Sequence, residues 1–147
     1  MRERSPIMAV TAGVVVRDNR VLVVQRKPTS RRGLLWEFPG GKIEEGEDPR
    51  SCLKRELNEE LGIEVDVGNR FEIVYHTYED VKVLLISFIC QIARGDPHAI
   101  DCQGFRWLTQ RELRDLPMTA ADIPLRNALC TGAEFLEPPA RLSLRQP

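Results

Sequence analysis

Residues 40–62 read GGKIEEGEDPRSCLKRELNEELG. Asp48 is a candidate helix N-cap, Pro49 suits the first helical position, and Gly62 can close the far end in the left-handed conformation. The stretch therefore predicts a helix over about 48–61. On that helix Glu56, Glu59 and Glu60 fall within an arc of about 100°, and Leu53, Leu57 and Leu61 occupy the arc beside it. One face is set to pack and its neighbour presents carboxylates, which repel one another at this spacing.

A solvated acidic face is the ordinary reading of such a pattern, and Arg55 can pair with Glu59 one turn on. Two features point instead to a cation. The carboxylates lie in the C-terminal half of the helix, where the macrodipole disfavours each negative charge by up to about 1 kcal/mol. The Gly40-Gly41 pair ahead of the helix lets backbone carbonyls approach a bound ion. Hard oxygen ligands of this kind suit Mg²⁺, with Mn²⁺ as a substitute, rather than zinc.

On the N-terminal side, residues 7–17 and 21–26 read as two Val-rich strands around a polar Asp-Asn turn, and WEF at 36–38 as a strand end halted by Pro39. The basic start MRERSPIMAVTAGVVV runs straight into that hairpin, so it is not read as a secretory signal. On the C-terminal side, IEVDVGNRFEIVYHTY and VKVLLISFICQIA read as two long strands, FRWL as a short one, and TQRELRDL and AADIPLRNAL as helical regions. The expectation is an α+β fold, an α/β/α sandwich with a mixed β-sheet between helices, formed by one domain over 1–135 and followed by a mobile tail over 136–147.

The 147 residues suffice for one core, and a formal net charge of -1 gives no general attraction to nucleic acid or to an anionic membrane. No apolar run is long enough to span a bilayer. Cys52, Cys90, Cys102 and Cys130 form no C-x-x-C pair, which suggests neither a zinc site nor a disulfide framework, and a cytoplasmic setting is expected. Cys52 and Cys102 read as packing residues, and His76 and His98 have no partner in sequence.

The pattern Gly41, five residues, Glu47, seven residues, then Arg55-Glu56-Leu57-Asn58-Glu59-Glu60-Leu61-Gly62-Ile63 resembles the Nudix box of the Nudix hydrolases at every defined position. A chance match is on the order of 10⁻¹⁰ per starting position at ordinary residue frequencies. The lead-in WEFPGGK and a looser likeness over about 8–130 resemble the MutT-like branch.

The resemblance implies a Nudix fold and a Mg²⁺-dependent nucleoside triphosphate pyrophosphohydrolase that releases a nucleoside monophosphate and pyrophosphate. It implies Glu56, Glu59, Glu60 and the Gly40 carbonyl as metal ligands, Arg55 as their orienting residue, Glu47 as a brace, and Gly41 and Gly62 as structural glycines. Glu59 or Asp101 would take the proton of the attacking water. Asp101 falls where many MutT-like members carry a loop glutamate, and the neighbouring position, commonly His, is Cys102.

Asp122 matches the position that reads the edge of the base, although it could equally cap the last helix. Arg26, Arg31 and Arg32 could contact phosphates, and Phe38 could flank the base. The implied substrate is 8-oxo-dGTP or another modified nucleotide, the alternatives being a (d)CTP-type pyrophosphohydrolase and a non-hydrolysing base-recognition module. The expected partner is a small nucleotide, with the protein a monomer or homodimer.

Overall fold

The chain starts with two strands, β1 (Ile7–Arg17) and β2 (Arg20–Gln25), joined by Asp18 and Asn19 at φ 51° and 58°. Positive φ at both turn residues gives the tight hairpin that Asp and Asn tolerate best after glycine. The computed structural model describes residues 6–131, so residues 132–135 of the expected domain and the expected tail over 136–147 lie outside the described residues.

β3 (Trp36–Glu37) and β4 (Gly40–Lys42) precede the helix α1 (Pro49–Leu61). β5 (Glu64–Thr77), β6 (Lys82–Arg94) and β7 (Gly104–Leu108) follow, then a single turn α2 (Gln110–Leu113), a 3-10 turn over Ala120–Asp122, and α3 (Ile123–Leu129). The sheet is mixed. β1 runs parallel to β6 from Ile7↔Lys82 to Val15↔Cys90, whereas its pairings with β2 and β4, and that of β5 with β6, are antiparallel.

Strand alternation divides the core between the two faces of this sheet. Val14 and Val16 of β1 and Val21 and Val23 of β2 pack with Leu125 and Leu129 of α3. Val15, Leu22 and Val24 turn the other way, onto Leu53, Leu57 and Leu61 of α1. The three leucines are fully buried, each worth about 1.5–3 kcal/mol, and they seat α1 on that face of the sheet.

The caps of α1 are as anticipated: Ser51 N–H donates to Asp48 Oδ1 at 2.9 Å, and Gly62 is left-handed at φ 72° with its N–H on Asn58 O. Two expectations need correction. Pro39 and the two glycines after it read as the start of a loop over 39–47, but Gly40–Lys42 pairs with Ala12–Val10 of β1 as a short strand. TQRELRDL forms only one helical turn, capped by Thr109 and Glu112, because Pro117 follows closely and its carbonyl accepts the Trp36 N–H at 2.9 Å, drawing the chain to the sheet edge.

Candidate active site

Arg55 is the hub of the acidic helix. Its Nε and one terminal nitrogen donate to the two oxygens of Glu47 at 2.6 and 2.9 Å, and its other terminal nitrogen donates to Glu56 Oε2 at 3.0 Å and Glu59 Oε1 at 3.1 Å. Glu47 also accepts the Glu44 N–H at 3.0 Å, so the loop preceding α1 is tied to the helix through one guanidinium. These hydrogen bonds hold the Glu47 carboxyl down at about 2 and raise the Arg55 pKa further.

Glu60 is held differently. Its Oε1 is buried and, among the described residues, has no hydrogen-bond partner. Desolvation, followed by the charge of Glu37, pushes its carboxyl up to about 8, and Glu56 and Asp101 add to the effect. Glu56 is raised by desolvation too, against the pull of Arg55, and Glu37 by desolvation against Arg26. Several carboxylates thus penalise one another at a place where one buried oxygen is orphaned, a donor set that suits a hard divalent cation.

Among the described residues, no three carboxylate, imidazole or thiol groups converge into a closed metal-binding set as they stand. Glu59 is exposed, and Arg55 holds it together with Glu56.

The two glycines sit tightly against this arrangement. A Cβ on Gly41 would lie 2.2 Å from Glu56 Cδ, and one on Gly40 would lie 2.0 Å from the Thr11 carbonyl oxygen. Cys52 packs beneath them, its thiol 3.4 Å from Lys42 O, and burial raises its pKa; burial pushes the Cys102 thiol up to about 11. Neither cysteine has the character of a nucleophile.

Beside Gly40 and Gly41 opens a cleft of about 240 Å³, lined among others by Arg26, Arg32, Glu37, Phe38, Tyr78 and Asp122. Asp122 is buried at its floor. Phe38 N–H donates to its Oδ1 at 3.1 Å and the Thr119 hydroxyl to its Oδ2, while its side chain makes no capping bond to α3. Desolvation, with the charge of Glu37 second, pushes Asp122 up to about 7.

Arg26 donates to both Glu37 oxygens, at 3.1 and 3.2 Å, and through Nε to Arg31 O at 2.9 Å. Arg32 lies 3.9 Å over the Tyr78 ring and, with exposed Arg31, pairs with Asp80. Asp101 is exposed, pairs with Lys27 at 2.7 Å, and is docked by its N–H on Glu60 O at 3.2 Å.

The site thus joins Arg26, Arg32, Phe38, Gly40, Gly41 and Asp122 at the cleft, with the α1 carboxylates adjoining. Arg31 stands off at the rim. Sequence reasoning missed Glu37, Lys27 and Tyr78. A charge between the aromatics of WEF was a usable signal for Glu37, whereas the other two are ordinary loop residues until folding places them.

The α+β sandwich gathers carboxylates beside a polar cleft, an arrangement with the donors that hydrolysis of a phosphoric anhydride requires. Comparison with known proteins makes this specific. A family model described as NUDIX domain matches residues 11–128. The CTP pyrophosphohydrolase of Escherichia coli (strain K12) is 35% identical over 122 residues, covering 83% of this chain and 90% of that protein. A putative 8-oxo-dGTP diphosphatase 2 of Mycobacterium tuberculosis (strain ATCC 25618 / H37Rv) is 38% identical over 120 residues, covering 77% and 81%.

Among solved structures, the E. coli ORF135 protein superposes with a TM-score of 0.73 at 34% identity, over 84% of this chain and 89% of that one. MutT from methicillin-resistant Staphylococcus aureus 252 gives 0.71 at 31%, over 87% and 98%. The chain belongs to the Nudix family and is a MutT-like hydrolase within it. Nudix hydrolases generally use divalent metals. No helix among the described residues is long and apolar enough to cross a membrane.

Proposed function

We propose that the protein hydrolyses a nucleoside triphosphate to a nucleoside monophosphate and pyrophosphate, with 8-oxo-dGTP as the preferred substrate. The observation that carries this reading is the buried Asp122 carboxylate at the floor of a cleft that adjoins the acidic helix. At about 240 Å³ the cleft is smaller than the ~300–1,000 Å³ of pockets that enclose a whole ligand, so it suits a base whose phosphates extend along α1. An ionised Asp122 can accept from the N1 and amino hydrogens of a guanine-type base.

Glu56, Glu59, Glu60 and the Gly40 carbonyl would hold Mg²⁺, with Mn²⁺ a possible substitute. Bound there, a divalent ion supplies charge neutralisation for the phosphates and a lowered pKa for the attacking water. Arg55 orients Glu56 and Glu59, and Glu47 fixes Arg55. Glu59, on α1 beside Glu56 and Glu60, is the proposed acceptor of the water's proton, with Asp101 the other candidate.

Cytidine triphosphate is the second reading, supported by the likeness to the E. coli CTP pyrophosphohydrolase. Steady-state comparison of 8-oxo-dGTP, dGTP, CTP and dCTP with Mg²⁺ tests the choice, and a clear preference for CTP would overturn it. Asp122→Asn is expected to change the ratio of kcat/KM between 8-oxo-dGTP and CTP by about tenfold, the equivalent of one hydrogen bond to a charged group. An unchanged ratio would remove Asp122 from base recognition.

A further inference from the structure

The loop 26–35 that leaves β2 carries Arg26, Lys27, Arg31 and Arg32, each paired with a carboxylate. The pairings differ in strength. Arg26 is partly buried and its guanidinium is divided between both oxygens of Glu37 and a backbone carbonyl. Arg32 is stacked on Tyr78 as well as paired with Asp80. Among the described residues Lys27 has a single ion-pair partner, Asp101 at 2.7 Å, and both side chains are well exposed, at 48% and 71%. Exposed single ion pairs are weak and readily exchanged.

Position gives this weak pair a role. Gln103 N–H donates to Gln25 O at 2.9 Å, which lays the segment 101–103 along the end of β2 and brings Lys27 to Asp101. Asp101 is itself docked by its N–H on the Glu60 carbonyl, and its charge reaches the Glu60 carboxyl. The ammonium of Lys27 therefore waits one carboxylate away from the acidic end of the site, on a four-carbon stem with three rotatable donors.

We propose that Lys27 is a substrate-positioning residue that leaves Asp101 for the phosphate chain of the nucleotide, exchanging one anionic partner for another. This rests on the nucleoside triphosphate reading above. The exchange has two consequences. The incoming phosphates gain a charge-assisted donor. Asp101, freed of its partner, turns its full charge toward Glu60.

Binding measured in EDTA isolates the exchange from turnover. The probes are a non-hydrolysable α,β-methylene nucleoside triphosphate and inorganic tripolyphosphate, titrated calorimetrically into wild type, Lys27→Met, Lys27→Arg, Asp101→Asn and the double variant Lys27→Met/Asp101→Asn. Lys27→Met is expected to weaken binding about tenfold and Lys27→Arg to restore most of it. Asp101→Asn is expected to tighten binding about threefold, because Lys27 no longer has to be displaced, and the gain should vanish in the double variant.

In turnover with Mg²⁺, Lys27→Met should raise KM with kcat nearly unchanged. Wild-type affinity in Lys27→Met, weakening by Asp101→Asn as for a mere strap, or an undiminished Asp101→Asn gain in the double variant would each overturn the exchange alone. A wild-type protein that binds neither probe yet cleaves another phosphoric anhydride would overturn the nucleoside triphosphate reading and the exchange with it.

Discussion

Replacing Glu60 by glutamine is expected to lower kcat by about a thousandfold while making the metal-free protein more stable near pH 8. Both effects come from one buried oxygen. Glu60 Oε1 has no hydrogen-bond partner among the described residues, and its carboxyl is pushed up to about 8 by desolvation and by Glu37. The folded-state pKa lies above the ordinary value of 4.5, so between those pH values the folded protein binds more protons than the unfolded chain. Stability is then fully present below about 4.5 and is lost as pH rises through about 8.

The loss for wild type in EDTA should be on the order of a few kcal/mol, read by urea unfolding from pH 5 to 8. Glu60→Gln should flatten that slope, leaving a residue from Glu56 and Glu37, which are raised in the same sense. Adding Mg²⁺ at pH 8 should restore wild type more than the variant, since an ion that binds only the folded state stabilises it by mass action. Equal pH slopes for the two proteins, or full turnover by Glu60→Gln, would remove Glu60 from the metal site.

The elements legible in the sequence are those whose determinants are local. Asp48, Pro49 and Gly62 delimit α1 within fifteen residues of chain, and the Asp18-Asn19 turn announces the first hairpin. The leucine arc of α1 predicts which side packs, and Leu53, Leu57 and Leu61 are fully buried. The parallel pairing of β1 with β6 has no local signal, because its partners, Ile7 and Lys82 at one end, are brought together only by the complete fold. β4 escaped for the same reason: Gly-Gly-Lys lacks strand propensity and is extended because β1 offers it an edge.

The same division runs through the site. Clustering of Glu56, Glu59 and Glu60 follows from helical spacing, and the Arg55 to Glu59 pair from one helical turn. The pairs Lys27 with Asp101 and Phe38 with Asp122 join residues 74 and 84 positions apart, beyond the reach of any periodicity. Asp122 could be singled out by resemblance, but its burial against Thr119 and the Phe38 amide, which separates a cleft-floor residue from a helix cap, belongs to the tertiary structure.

Alanine at the two adjacent glycines should separate folding from catalysis. At Gly40 the new Cβ would meet the Thr11 carbonyl oxygen at 2.0 Å and the Ala12 Cα at 2.9 Å, both backbone atoms of the central strand β1. Relief requires β4 to peel from β1, and Gly40→Ala is expected to cost about 3 kcal/mol or more of stability, measured by urea unfolding. At Gly41 the three atoms nearest the new Cβ are all of the Glu56 carboxyl group, at 2.2–2.6 Å. A glutamate can swing aside at little cost to the fold, but it then leaves the position in which Arg55 holds it at 3.0 Å.

Gly41→Ala should therefore unfold within about 1 kcal/mol of wild type while kcat drops about a hundredfold, the scale for a group misplaced by roughly 1 Å. Because the displaced carboxylate is on the proposed metal side of the site and not at the base cleft floor, affinity for a non-hydrolysable nucleotide in EDTA should change little. A Gly41→Ala enzyme that is destabilised as much as Gly40→Ala, or that keeps wild-type turnover, would show that Glu56 does not need its present position. The requirement for glycine at 41 would then have to be traced to the backbone alone.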